Sequence, residues 1–213
     1  MKTDDLVKLL ATQAGPCKAR RMWPGIALAA GWGGLFAMVL MLIFLGIRPD
    51  IAQAVFSPPL WMKLALPALL AVGSMAGLNR LSRPGVRFDH LGAWLAWPIL
   101  VVWVLAAYEL TKAESGEYSR LIFGSTWLSC VSSVALLSLP VFASVLWTVR
   151  QLAPTRLRVA GACSGLLGGA VGALVYALHC PETGTTFLGF WYVLGMAVLT
   201  AAGALLGPRL LRW

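Results

Sequence analysis

The chain has 213 residues, of which 59% are hydrophobic and only 12% are charged, and its formal net charge is +9. This composition excludes an ordinary water-soluble domain, in which about a quarter of the residues are charged. The excess of Lys and Arg does not indicate direct nucleic-acid binding, because these residues are scattered in short segments between apolar runs and form no continuous basic stripe.

The N-terminal segment, residues 1–22, has the pattern of a short amphipathic helix followed by a linker. Leu6, Leu9 and Leu10 fall on one helical face, with the basic Lys8 beside them. A helix this short is marginal on its own. Its apolar face is therefore expected to dock either on the membrane surface or on a cytoplasmic partner protein.

Residues 23–213 contain six apolar runs, each with the roughly 20 residues that a helix needs to cross a hydrocarbon layer. Turn-forming residues separate the runs. We therefore predict an all-α membrane protein whose transmembrane domain is a six-helix bundle. The runs are Pro24–Ile47, Trp61–Leu81, Leu91–Lys112, Thr126–Thr148, Leu157–Leu178 and Phe187–Leu206.

Lys and Arg are distributed unevenly between the two sides of this bundle. Of the 17 such residues, 13 lie on the side of the N-terminus, and the others are Arg48, Lys63, Lys112 and Arg120. By the positive-inside rule the 13-rich side faces the cytoplasm. The sequence thus predicts a multi-pass protein of the bacterial inner membrane with both termini in the cytoplasm. Lys63 lies near the start of the second run, where it is expected to snorkel to the interface.

The last two runs contain glycines spaced four residues apart. Small residues at this spacing allow helices to approach closely. The sequence therefore predicts tight packing of the fifth and sixth helices, although high Gly content is also general in membrane helices. The glycines concerned are Gly161, Gly165, Gly168, Gly169 and Gly172 in the fifth run, and Gly195, Gly203 and Gly207 in the sixth.

The sequence contains none of the common catalytic motifs. H-E-x-x-H, G-x-S-x-G, the P-loop and C-x-x-C are all absent, so we expect a protein that is not an enzyme. A small transporter or metal permease fits six helices, but no run has an ionisable residue at its centre. A membrane thiol oxidoreductase also fits, but these enzymes usually carry closely spaced cysteine pairs. Both remain alternatives.

Two cysteines are predicted to lie at similar depth on the outer side. Cys130 is about four residues, or roughly 6 Å of helical rise, inside the outer end of the fourth helix, and Cys180 lies just beyond the outer end of the fifth. His179 and Glu182 are close to Cys180 in sequence. Two thiols with an imidazole and a carboxylate suit a Cu or Zn ion, and two apposed thiols can equally form a disulfide.

The sequence resembles the NrsF-like negative regulators of extracytoplasmic-function sigma factor F. The resemblance covers essentially the whole chain, and the order of several short segments carries it. These are the opening Thr3-Asp4-Asp5-Leu6-Val7-Lys8-Leu9-Leu10, the six-helix pattern, His179-Cys180-Pro181-Glu182, Phe190-Trp191-Tyr192, and the ending Gly207-Pro208-Arg209-Leu210-Leu211-Arg212-Trp213.

This resemblance implies a membrane anti-sigma factor, which holds an extracytoplasmic-function sigma factor at its cytoplasmic face until an envelope signal arrives. It also implies sensing of metal or oxidative stress by two cysteines, whose matching positions are Cys130 and Cys180. We hypothesise that Leu6, Leu9 and Leu10, with Lys8, bind the sigma factor. The expected partners are therefore a sigma factor and membrane lipid.

Overall fold

The computed structural model describes residues 3–13, 22–81, 91–114 and 116–212, and within them it describes no side chain of residues 8–11, 13 and 22. All regular secondary structure in these ranges is helical. The helices are α1 (Thr3–Gln13), α2 (Met22–Phe44), α3 (Ile51–Ala54), α4 (Pro58–Leu81), α5 (Leu91–Lys112), α6 (Tyr118–Phe123), α7 (Trp127–Arg150), α8 (Leu157–Ala177), α9 (Thr185–Phe187), a π-helical turn (Leu188–Tyr192) and α10 (Val193–Leu210).

Six of the helical segments in the described residues are long and apolar enough to cross a membrane. Five of them coincide with the predicted runs to within four residues, and the fourth, Tyr118–Arg150, begins eight residues earlier because it includes α6. This agreement confirms the all-α, six-helix prediction. The sequence pattern did not predict the short connecting helices α3 and α6, which have only 4 and 6 residues. Elements this short span too few turns to display a helical period of apolar residues.

Helix α8 lies at the centre of the bundle. Within its most apolar window 72% of the residues are buried, compared with 22–39% in the other five spans. It packs against α10, α7, α4 and α2. Small residues make up much of α8, so neighbouring helices approach its backbone closely, as is usual where membrane helices associate.

Glycine contacts between α8 and α10 confirm the predicted tight packing of these two helices. A Cβ atom added at Gly161 would overlap the carbonyl oxygen of Gly203, and one added at Gly203 would overlap that of Gly161. Gly165 meets the Leu199 carbonyl in the same way, and Gly207 meets that of Leu157. The two helices can therefore come this close only because these positions have no side chain.

The long helices alternate in direction, so the bundle has two distinct ends. We call the end formed by residues 45–57, 116–126 and 178–184 the cysteine end, because Cys130 and Cys180 lie at it. The opposite end, which we call the arginine end, contains Arg80 at the end of α4 and residues 150–158 between α7 and α8. Helices α7 and α8 thus form a hairpin that is closed at the arginine end and open at the cysteine end.

Candidate functional site

Cys130 and Cys180 belong to one buried cluster at the cysteine end. Cys130 is in the first turn of α7, Cys180 follows the end of α8 by three residues, and both are 0% exposed. Both are free thiols. The Tyr176 hydroxyl interacts with both sulfurs. The open end of the α7–α8 hairpin therefore brings together the two thiols that the sequence singled out.

Lys63, in the second turn of α4, points into this cluster and not towards the membrane surface. Its side chain is 3% exposed, and Nζ donates hydrogen bonds to the carbonyl oxygens of Cys180 and Glu182, each at 2.8 Å. The prediction that Lys63 snorkels is wrong. Carbonyls beyond the end of α8 lack partners within that helix, and they offer the ammonium hydrogen bonds inside the protein.

Arg48, which follows α2, holds the same segment from another side. Its backbone N–H donates to the carbonyl of Leu178 at 3.3 Å, and Nη1 donates to the carbonyl of Cys180 at 3.4 Å. Its guanidinium also pairs with Asp50, with Nε donating to Oδ1 at 2.7 Å. Hydrogen bonding within this pair lowers the pKa of Asp50 below its ordinary value and raises that of Arg48.

His179 and Glu182, the other two predicted metal ligands, have partners of their own. His179 Nδ1 lies 3.0 Å from the Gly46 carbonyl oxygen, which can only accept a hydrogen bond. Glu182 Oε1 accepts hydrogen bonds from the backbone N–H and the hydroxyl of Ser125, at 2.9 and 2.7 Å. In the described part of the chain, no three His, Cys, Asp or Glu side chains are grouped closely enough to hold a metal ion.

This arrangement limits which metal ion would fit the cluster. A structural Zn ion takes four ligands, and the side chains of the predicted set do not converge in that way. Two thiol sulfurs alone suit a softer ion such as Cu(I). Cys130 and Cys180 would then be the residues that hold it, while His179 and Glu182 would keep their present partners.

Tyr192, at the end of the π-helical turn, presents a buried hydroxyl to the cluster. The residue is 0% exposed, and its hydroxyl has no hydrogen-bond partner among the described residues. A buried polar group left unpaired costs about 1–3 kcal/mol. The Lys63 ammonium lies 5.2 Å from the centre of the Tyr192 ring. π-Helical turns occur frequently at functional sites, and this one ends at Tyr192.

Two adjoining cavities lie beside the cluster. The outer one, of about 510 Å³, is lined by polar residues that include Glu117, Arg120 and Glu182. The inner one, of about 120 Å³, is lined by Lys63 and Tyr192 among others. Glu182 lines both cavities. Lys63 and Tyr192 thus line the inner cavity, while neither thiol lines either of the two cavities.

Glu109, near the end of α5, also lines both cavities and fixes the start of the last span. Its Oε2 accepts hydrogen bonds from the hydroxyl of Thr185 at 2.5 Å and from the backbone N–H and hydroxyl of Thr186, both at 2.8 Å. A carboxylate is favourable there, because the first N–H groups of a helix lack partners and carry partial positive charge.

Sequence reasoning did not identify Lys63, Tyr176, Tyr192 or Glu109 as members of the site. One signal was available: Tyr176 and Cys180 are four residues apart, a spacing that places side chains on one helical face. The partners of Lys63 could not be found in this way, because they lie 117 and 119 residues away in sequence.

The predicted sigma-binding residues lie on α1, and the structure confirms that this segment is helical. Leu6 and the neighbouring Val7 are 43% and 58% exposed. The side chains of Lys8, Leu9 and Leu10 are outside the described part of the chain. Contact between α1 and a partner stays a prediction.

Comparisons with known proteins agree on one family. Residues 10–213 match the family described as NrsF, negative regulator of sigma F. The chain is 49% identical over 213 residues to the probable anti-sigma-F factor NrsF of Azospira oryzae, and 40% identical over 220 residues to the anti-sigma-F factor NrsF of Caulobacter vibrioides. Both alignments cover 100% of each chain. No solved structure matches the chain.

Proposed function

The chain belongs to the NrsF family of negative regulators of sigma F, and from this membership we propose that it is a membrane-embedded anti-sigma factor. It sequesters an extracytoplasmic-function sigma factor at its cytoplasmic face and releases it when Cys130 and Cys180 react with an oxidant or bind a metal ion. Members of this family are regulators and not enzymes. The observation that carries the sensing part is the burial of both thiols in one cluster at one end of the bundle.

The proposed orientation has the arginine end in the cytoplasm of an inner-membrane protein. Lys and Arg are concentrated on that side of the chain, as the positive-inside rule requires of cytoplasmic loops. The cysteine end then faces the periplasm, where thiols are readily oxidised. A sigma factor is cytoplasmic and would meet the arginine end and α1, whose exposed Leu6 supports a docking role.

The α7–α8 hairpin offers a route between the two ends. Cys130 and Arg150 are 20 residues apart on α7, so the thiol and the closed end are separated by roughly 30 Å of continuous helix. At the closed end Ala153 has a positive φ of 47°, an uncommon backbone state for a residue with a Cβ. A bond between the sulfurs would fix the open end of the hairpin, and the arginine end would respond.

Such a switch requires that the reacted thiols favour one arrangement of the bundle over another. Changing a population from mostly bound to mostly free takes about 5.5 kcal/mol of differential free energy. A disulfide typically contributes about 2–4 kcal/mol, and thiolate coordination of a metal can contribute more. The chemistry at Cys130 and Cys180 therefore has the required order of magnitude.

Oxidation is the trigger that the arrangement of side chains favours, and Cu(I) binding is the alternative. A disulfide needs only the two thiols that lie in the cluster. A Zn site would need His179 and Glu182 to leave Gly46 and Ser125. Replacing His179 with Ala is therefore expected to leave the response intact, whereas replacing either cysteine with Ser is expected to abolish it.

Co-purification tests the anti-sigma function. The full-length chain, extracted in detergent, is expected to retain a sigma factor expressed with it, and the variant with Leu6→Asp and Leu10→Asp is expected to lose it because charge opposes burial of the apolar face. Ala11→Asp adds a charge on the opposite face of α1 and serves as the matched control. If the double variant retains the sigma factor as well as the control does, α1 is not the contact. If the wild-type chain retains none, the anti-sigma proposal is wrong.

A further inference from the structure

Lys63 and Tyr192 carry hydrogen-bonding capacity that the described residues do not use. An ammonium group has three N–H donors, and Lys63 donates to two carbonyl oxygens. Tyr192 has a fully buried hydroxyl that makes no hydrogen bond within the described part of the chain. Lys63 donates to the main-chain carbonyl of Cys180, and its ammonium lies 5.2 Å from the centre of the Tyr192 ring. The buried cluster therefore offers two donors close to Cys180.

The inner cavity limits the size of a molecule that can reach these donors. With a volume of about 120 Å³ it has space for only a few water-sized molecules. It adjoins the larger outer cavity, because Glu109 and Glu182 line both. A small molecule entering from the cysteine end would meet Lys63 and Tyr192 before it reached the thiols, while a bulky disulfide reagent would not fit.

We propose that Lys63 and Tyr192 bind the oxygen atoms of a small peroxide-class oxidant and hold it against Cys180. This inference rests on the proposed sensing role of the thiol pair and adds the site at which the oxidant is received. Lys63 and Tyr192 donate hydrogen bonds to the oxygen that departs when the oxidant is cleaved. Donors placed where negative charge develops lower the barrier of such a step.

The chemistry balances with the two thiols and one peroxide molecule. The Cys180 sulfur attacks one oxygen of the peroxide, the O–O bond breaks, and the thiol proton goes to the departing oxygen, which leaves as water when the oxidant is hydrogen peroxide. Cys180 is then a sulfenic acid. The Cys130 sulfur attacks the Cys180 sulfur, its S–H proton leaves with the hydroxyl as a second water, and a disulfide forms. The sulfur atoms are oxidised, and the two peroxide oxygens are reduced.

The test compares two reagents on full-length protein in lipid nanodiscs. Hydrogen peroxide requires a departing oxygen, whereas iodoacetamide is also small but alkylates the sulfur and releases iodide. Mass spectrometry measures the rate of disulfide formation with the first reagent and the rate of Cys180 alkylation with the second. The main variant is Tyr192→Phe, which removes only a hydroxyl without a partner and is expected to fold. Tyr108→Phe, which changes an exposed tyrosine on α5, is the control.

We expect Tyr192→Phe to reduce the peroxide rate about tenfold and to change the alkylation rate by less than about twofold, with the control matching wild type on both. Lys63→Met should reduce the peroxide rate further, and Lys63→Arg should restore part of it, because the charge and the donors return. A parallel fall of both rates in Tyr192→Phe would mean a structural role and would overturn the inference, as would unchanged rates.

The outcomes separate this inference from the proposed function. A wild-type protein that peroxide does not oxidise overturns the peroxide site but leaves sensing of a metal ion possible. A protein that shows the expected rates but keeps its sigma factor after oxidation supports the peroxide site and contradicts the release mechanism. Each result therefore bears on one of the two claims.

Discussion

Lys63 is a charged side chain near the start of a membrane helix, and two backbone carbonyl groups hold it in place. A buried ammonium is costly unless it makes hydrogen bonds, so its position depends on the segment that follows α8. That segment is also held by Arg48 and carries Cys180. The main chain around the Cys180 thiol is thus held in place by two cationic side chains, Lys63 and Arg48.

The Arg48–Asp50 pair makes the stability of the folded protein depend on pH. Because Arg48 lowers the pKa of Asp50 in the folded protein, the stabilisation is present above the ordinary value of 3.8 and is lost as the pH falls through the lower folded-state pKa. We expect Asp50→Asn to lower the melting temperature at pH 7, and the difference from wild type to vanish in strongly acidic buffer. A difference that persists unchanged at low pH would show that the carboxylate charge is not its cause.

The hydrogen bonds that Glu109 accepts should contribute measurably to stability. Glu109→Ala leaves donors of Thr185 and Thr186 without this acceptor, and such losses typically cost about 1–3 kcal/mol. Unfolding followed by circular dichroism in detergent measures the change. Glu114→Ala, at an exposed position beyond α5, is the control and should stay close to wild type. Equal effects of the two substitutions would argue against the assigned role.

The helices differ in how well their bounds and contacts could be predicted from their own sequences. The bounds of α5 coincide with the predicted run, and the Gly spacing of α8 correctly predicted close contact with α10. Both features are local, because a membrane span needs only an apolar length and a close contact needs only a missing side chain. The π-helical turn Leu188–Tyr192 has no such local signature, and its Trp191 donates a hydrogen bond to the carbonyl of Ile122, which is 69 residues away in sequence.

The close contact between α8 and α10 should not tolerate even a methyl group. Gly203→Ala places a Cβ against the Gly161 carbonyl, and overpacking of this kind typically costs about 1–3 kcal/mol. Gly31→Ala on α2 has no atom within 4 Å of the added Cβ and should be neutral or slightly stabilising. Denaturation in mixed detergent micelles compares the two variants, and equal stabilities would show that the helices are not held as closely as described.

The bundle separates the thiol cluster at one end from the basic residues at the other end by the length of its helices. The apolar runs were sufficient to predict the six long helices, because the bilayer imposes a helix length. The orientation that the positive-inside rule gives stays a prediction. The runs were insufficient for the site, whose members come from α4, α7, α8 and the π-helical turn and meet only after folding. Lys63 and Cys180, which are 117 residues apart, illustrate the difference.

The proposed orientation is open to direct labelling. Glu114→Cys and Thr155→Cys introduce thiols at exposed positions at the cysteine end and the arginine end. In a background that lacks the native cysteines, a membrane-impermeant maleimide added to intact spheroplasts is expected to label the first and not the second until the membrane is opened. The reverse pattern would place the thiol cluster on the cytoplasmic side and remove the proposed access to envelope oxidants.

Measuring whether the sigma factor is released when the thiols are oxidised tests the proposed switch at Cys130 and Cys180. The complex of the full-length chain with its sigma factor, immobilised in nanodiscs, is treated with hydrogen peroxide, and the sigma factor that elutes is quantified. We expect release from the wild-type complex, reversal on reduction, and no release from Cys130→Ser or Cys180→Ser complexes of equal initial occupancy. Release that is the same with and without the two thiols would contradict the mechanism.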